Sequence, residues 1–241
     1  LDDMTAADHD LHVQSIAHGV ILLQNLSPEY GAERRRLRIV KYRGTSFRGG
    51  FHDYLIAKGG LRVFPRLVAA EHRGRSNCNR LASNIRELDE LLGGGIEEGT
   101  STLIVGGAGT GKSTIAAQFC VAGAERGEKS VLFMFDESPN TLFTRCRGLG
   151  IDIEPHVKAG IIDIVQIDPA ELSPGEFAHL IGEAVDHAGV KIVVVDSLNG
   201  YLSAMPEEKF LAIQLHELLM YLSQQGVATL LISAHHGLIG S

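Results

Sequence analysis

Apolar positions change their spacing about a third of the way along this chain. Through residues 18–64 they come in short bursts broken by turn residues: HGVILLQNL (18–26), RRRLRIVKYR (34–43), FHDYLIA (51–57) and LRVFP (61–65). Pro28 and Gly31 mark one break, and Lys58-Gly59-Gly60 another. The second burst alternates, which puts Arg35, Leu37, Ile39, Lys41 and Arg43 on one face of a strand. Successive short strands with tight turns predict an antiparallel meander.

Beyond HRGRSNCNR (72–80), a polar stretch read as a linker, the pattern switches to helix and strand in alternation. SNIRELDELLGGG (83–95) offers Ser83 and Asn84 as caps, places Ile85, Leu88, Leu91 and Leu92 on one helical face, and ends in glycines. Apolar strands follow at 102–106, 130–135, 161–167, 191–196 and 227–234, with helical stretches near 112–126, 139–148, 174–188 and 207–225. Buried strands alternating with helices predict an α/β fold, a mostly parallel sheet covered on both sides. The expected organisation is a β-rich segment, 1–75, and an α/β domain, 76–241.

Charge sharpens that division. Residues 1–75 hold 12 Lys/Arg against 8 Asp/Glu, and the remainder 10 against 21. So acidic a second part is a poor platform for nucleic acid, and any anion site there is local. Cys78, Cys120 and Cys146 are odd in number and far apart, which suggests neither a zinc site nor a disulfide framework. The acidic start LDDMTAADHD lacks the apolar core of a signal peptide, and no run of eighteen apolar residues exists. A cytoplasmic protein without a membrane span is expected.

The strongest motif is GGAGTGKS, Gly106–Ser113, a G-x-x-x-x-G-K-[ST] phosphate loop between a predicted strand and a predicted helix. Gly106, Gly107, Ala108, Gly109, Thr110 and Gly111 form a turn whose backbone N–H groups face phosphates. Lys112 reaches the β- and γ-phosphates, Ser113 offers a hydroxyl to Mg²⁺, and Thr114 completes the ATP-binding run. IVVVDS (192–197) ends a buried strand in Asp196, a second Mg²⁺-holding group. SVLFMFDESP (130–139) ends another in Asp136-Glu137, a pair placed to orient and deprotonate attacking water, with Asp136 also a metal candidate. Ser233, at the end of the last strand, is a sensor for the γ-phosphate. Its neighbours His235 and His236 point to opposite faces and make a poor metal pair. Lys41 and Arg43 close a row with Leu37 and Ile39 and suit the clamping of a transferring phosphoryl group.

Phosphate loop, acid pair, strand-end aspartate and the K-x-R-G-T-S run at 41–46 together resemble the KaiC family of RecA-like ATPases, over nearly the whole chain. The resemblance implies tandem RecA-like domains, hexameric rings, and ATP held between subunits. Residues 1–75 are then the C-terminal β-rich part of a first RecA-like domain. Residues 76–241 are a second RecA-like P-loop domain lacking its last strands, which leaves a sheet edge exposed. On the same resemblance Lys41 and Arg43 serve ATP bound by an adjacent subunit, and Leu149 stands where the clock member of the family stacks a tryptophan on adenine. Asp136 stands where that member has glutamate, and Phe47 where it has histidine. Clock function and Ser/Thr autokinase activity do not follow from the resemblance.

The functional expectation is a ring-forming, Mg·ATP-hydrolysing enzyme with a signalling or regulatory role and a protein partner. Two rivals use the same loop: a RecA/RadA-like DNA-dependent ATPase, and a nucleotide-gated scaffold whose turnover is incidental.

Overall fold

In the computed structural model the structure describes residues 14–28, 31–72, 79–203 and 211–234. The linker core at 73–78, Cys78, His235 and His236 lie outside them. The chain divides into two compact units, one running through Arg66 and including Ser173–Glu176, the other comprising Leu67–Leu172 and the chain from Phe177 onward. The division falls nearer the N-terminus than 75/76. Leu67–His72 run with the larger unit, where the Ala69 amide donates to Glu217 at 3.1 Å and Gln225 donates to the His72 carbonyl at 3.1 Å.

The smaller unit is the expected meander. Strands β1 (Gly19–Leu26), β2 (Arg34–Tyr42), β3 (His52–Ala57) and β4 (Gly60–Phe64) form an antiparallel sheet in sequence order. Its register pairs Ile21 with Ile39, Leu23 with Leu37, Leu37 with His52, Tyr54 with Val63 and Ile56 with Leu61. One face therefore gathers Ile21, Leu23, Leu37, Ile39, Tyr54, Ile56, Leu61 and Val63 beside Arg35 and Lys41, and the other carries Arg34, Arg36, Arg38 and Arg62. Buried His52 ties the strand to the chain on either side. Its Nδ1 accepts from the Arg66 amide at 2.9 Å, which leaves Nε2 to donate to the Arg48 carbonyl at 3.1 Å.

The larger unit is an α/β sandwich around five parallel strands: β7 (Ser101–Gly106), β8 (Lys129–Met134), β9 (Ile162–Gln166), β10 (Val190–Asp196) and β11 (Ala228–Ala234). Their spatial order is β7-β11-β10-β8-β9. A two-residue pair, β5 (Arg80–Leu81) with β6 (Ile96–Glu97), stands apart.

Alternation sorts the core into two layers. Val193 and Val195 face Phe177, Ile181, Leu218 and Tyr221 on helices α5 (Pro174–Asp186) and α7 (Leu211–Gln224). Ile192 and Val194 face the other side, with Ala116, Ala117 and Cys120 on α2 (Lys112–Glu125) and Leu142 on α3 (Pro139–Gly148). On α2, Gly123 permits the approach, because a Cβ there would stand 2.7 Å from the Ile192 Cδ1.

Two details differ from the sequence reading. The first helix, α1 (Arg86–Leu91), is only six residues long, and Leu91 is 86% exposed instead of sharing a buried face. Ser83 still closes the turn: its Oγ accepts from the Ile85 amide and donates to Asp89. Two short helices escaped the periodicity, α4 (Glu154–Lys158) and α6 (Leu198–Ser203), each too brief to leave a pattern. In the parallel sheet β7 is an edge strand, and its Leu103 and Val105 are half exposed.

Candidate functional site

The five strands end together, and the chemistry gathers at their C-terminal ends. The loop after β7 turns straight into α2, with Gly111 at its N-cap in the left-handed region at φ 89° and Gly109 at φ 75°. A Cβ on either would meet nothing within 4 Å, so glycine is required there by backbone conformation and not by crowding. Gly106 is the opposite case, since its Cβ would lie 2.6 Å from Thr110 Oγ1. Thr110 donates to the Gly107 carbonyl at 3.0 Å, and Lys112 Nζ donates to the same oxygen at 2.7 Å. Residues 107–110 are exposed, so the loop is open to solvent beside the lysine.

Strand order separates β7 from β10 by β11 alone. Asp196 at the end of β10 thereby comes opposite Ser113 in the first turn of α2. Burial pushes the Asp196 carboxyl above its usual range; a hydrogen bond with Ser113 opposes this, Glu137 reinforces it, Arg145 opposes it and Asp136 adds to it. A hydroxyl and a carboxylate facing one another are the hard oxygen donors that Mg²⁺ takes. Among the described residues, no three His, Cys, Asp or Glu side chains are arranged to hold an ion.

The acid pair follows β8, whose extension is fixed by the Phe135 amide donating to the Asp196 carbonyl at 2.7 Å. Ser138 then caps α3, its Oγ accepting from the Thr141 amide, with Pro139 in the first turn. This abrupt start aims the two acids apart. Asp136 accepts a hydrogen bond from the Ser197 hydroxyl, which also accepts from the Gly200 amide at 3.0 Å. Glu137 instead pairs with Arg145 on α3, Nη1 to Oε2 at 2.6 Å.

The structure thus brings together Ser113, Asp136, Glu137 and Asp196, beside the loop carrying Lys112. Ser233 lies at the end of β11, its hydroxyl donating to Asn199 Oδ1 at 2.8 Å. Leu149 sits at the C-cap of α3, 60% exposed. Lys41 and Arg43 belong to the meander unit, where both donate to backbone carbonyls: Lys41 to Gln14 and Ser15 at 2.8 and 3.0 Å, Arg43 to Ser15 at 2.9 Å. Desolvation and then the Arg43 cation lower the pKa of the Lys41 ammonium.

Four participants were not anticipated from sequence. Ser197, Asn199 and Gly200 form one turn after β10. Asn199 bonds both Ser233 and the Ala234 amide, and a Cβ on Gly200 would stand 2.7 Å from Asp136 Oδ1. The signal was the polar run S-L-N-G directly after an apolar strand. Arg145 is the fourth. Its signal was a basic residue two turns into a helix that begins at the acid pair. A separate cavity of about 470 Å³ lies at the other end of the strands, between Lys129, Val131, Ile162, Leu180 and Val190, and holds none of these groups.

Known proteins resemble this chain over much of its length. Residues 81–238 match the family model described as "ATPase: KaiC". The chain belongs to the KaiC ATPase family. It is 28% identical over 195 residues to the circadian clock oscillator protein KaiC of Picosynechococcus sp., covering 81% of this chain and 37% of that protein. The protein of the same name from Parathermosynechococcus lividus is 29% identical, covering 81% of this chain and 36% of its own length. The Prochlorococcus marinus counterpart is 29% identical over 184 residues, with coverage of 76% and 36%. The chain therefore spans little more than a third of the length of these relatives. The parallel α/β unit is the RecA-like P-loop fold of this ATPase family.

Proposed function

We propose that this KaiC-type ATPase binds Mg·ATP at Gly106–Thr114, hydrolyses it, and does so as part of a ring. The observation that carries the reading is the loop itself, with Lys112 and Ser113 at a helix N-terminus and Asp196 facing Ser113. Backbone amides of Gly107–Lys112 and the α2 dipole receive the phosphates. Lys112 exchanges its bond to the Gly107 carbonyl for phosphate oxygens. Ser113 and Asp196 hold Mg²⁺, which would neutralise charge on the β- and γ-phosphates. One of Asp136 and Glu137 orients the attacking water and takes its proton.

Residues 1–75 act, in this proposal, as the β-rich end of a preceding RecA-like domain. Lys41 and Arg43 leave the Gln14 and Ser15 carbonyls to serve nucleotide on an adjacent subunit, and six such chains close the ring. An arginine supplied from a neighbour is worth about 10³–10⁵ in rate, so the separate chain turns over slowly. Leu149 borders the base, and Ser233 couples γ-phosphate loss to Asn199. A signalling or regulatory output through a protein partner suits such slow, assembly-dependent turnover better than DNA translocation does.

The test is Mg·ATP binding and ADP release by the parent and by Lys112→Ala. Affinity is expected to fall at least about 100-fold in the variant. Equal affinity in the two proteins would remove the reading.

A further inference from the structure

Asp136 and Glu137 are adjacent in sequence but differently held, and the difference assigns their roles. Asp136 is clamped. One oxygen accepts from Ser197, and the other lies so close to Gly200 that a single added carbon would meet it at 2.7 Å. Glu137 is held at one oxygen only, by Arg145 Nη1 at 2.6 Å, while its Oε1 is buried with no hydrogen-bond partner. An acceptor kept out of solvent and left uncommitted is costly unless it has a task.

Arg145 has a matching surplus. Its Nε and Nη2 are also buried without partners. A guanidinium presents its donors as a planar fork, so a small movement of Glu137 exchanges one hydrogen bond for two without breaking the pair. Charge points the same way. Glu137 and Asp136 both bear on the Asp196 carboxyl, and Arg145 is the cation that opposes them there.

We propose that Arg145 is the positioning residue of the acid pair: it holds Glu137 as the base and serves as counter-charge to the three acids before a metal–nucleotide complex arrives. Asp136 is then a structural anchor, fixing the turn after β10 against the end of β8. The role assigned to Glu137 rests on the hydrolysis proposed above; the counter-charge role does not.

Two readouts on Arg145→Gln and Arg145→Lys separate these parts. In steady-state hydrolysis, Arg145→Gln is expected to lower kcat roughly 10- to 100-fold with KM for ATP within about threefold. Arg145→Lys, which keeps the charge and a donor group without the planar fork, should recover most of that loss. In the Glu137→Gln background, Arg145→Gln should lower kcat no further.

The second readout needs no turnover. Mg²⁺ is titrated at fixed concentration of a fluorescent, non-hydrolysable ATP analogue. Removing a neighbouring cation should lower the Mg²⁺ midpoint roughly three- to tenfold in Arg145→Gln and leave it near the parent's in Arg145→Lys.

An unchanged kcat in Arg145→Gln would overturn the positioning role. So would a raised kcat, which would make Arg145 a restraint, or a parallel loss of ATP affinity in both variants, which would make it a binding or packing residue. An unchanged Mg²⁺ midpoint would overturn the counter-charge role. A parent that binds Mg-nucleotide but never releases ADP would sink the hydrolysis reading, and with it the base, while the midpoint still decides the rest.

Discussion

The two sheets of this chain treat their apolar residues in opposite ways. In the parallel sheet, Val193, Val194 and Ile192 are entirely buried, because helices lie on both faces. In the meander, Ile21 and Ile56 are 62% and 66% exposed, and Leu23 is 60% exposed, although these strands are as regularly paired. Regular alternation specifies a strand, but it takes a second layer to make a core. The parallel unit contains that layer and its site. The meander has its strand pairs and one well-anchored histidine, while Ile21, Leu23 and Ile56 stay exposed.

The sharpest way to break the contrast is to damage the layer that one sheet has and the other lacks. Phe133 on β8 is 1% exposed and packs edge-to-face on Phe177 with ring centroids 5.2 Å apart. Phe133→Ala should destabilise the P-loop unit by about 3–5 kcal/mol, from lost transfer energy and the cavity left behind. Urea denaturation followed by circular dichroism reads this directly. A loss below about 1 kcal/mol would mean that the sandwich collapses around the gap and is packed less tightly than its burial implies.

The same contrast explains what the sequence could say. Every strand of both sheets was legible to within a residue or two, since period-two runs and unbroken apolar runs are local properties. Strand order in the meander followed from its tight turns. The order β7-β11-β10-β8-β9 has no such local cause, and the sequence reading stopped at a mostly parallel sheet. At the site, Lys112, Ser113 and Asp196 were legible because loop, helix start and strand end impose residue types at fixed spacing. Arg145 was not, because its contact with Glu137 depends on how Ser138 and Pro139 set the direction of α3. Leu91 shows the converse error: helical spacing placed it on a face, and nothing in that spacing could supply a surface to cover it.

Burial also has a titratable signature in the parallel unit. Cys120 on α2 is fully buried; burial pushes its thiol up to about 12, Ser130 pulls it back by a hydrogen bond, and Cys146 raises it further. In the unfolded chain a thiol ionises near 8.5. The folded value is the higher one, so the unfolded state releases its proton first. The contribution of this group is complete below about pH 8.5, and stability then falls by about 1.4 kcal/mol per pH unit toward pH 12. Cys120→Ala should remove that slope, whatever its constant effect on stability. Parallel curves for parent and variant between pH 9 and 11 would show that the thiol reaches solvent in the native state.

The smallest expected effect is on the other sheet, and it is the most informative. Leu23→Ser exchanges an exposed leucine for a polar residue on the open face of the meander, and a dilute single chain should change by no more than about 0.5 kcal/mol. Its strand pairs are backbone bonds, and the hydroxyl is compatible with an extended chain. Leu23 is opposite Leu37 across the ladder, so the partner loses one apolar neighbour and little else. If unfolding is instead about 2 kcal/mol easier and the loss fades on dilution, the face is covered by another copy at working concentration. A loss of that size at every dilution would mean that the chain covers Leu23 itself, and the contrast between the two sheets would disappear.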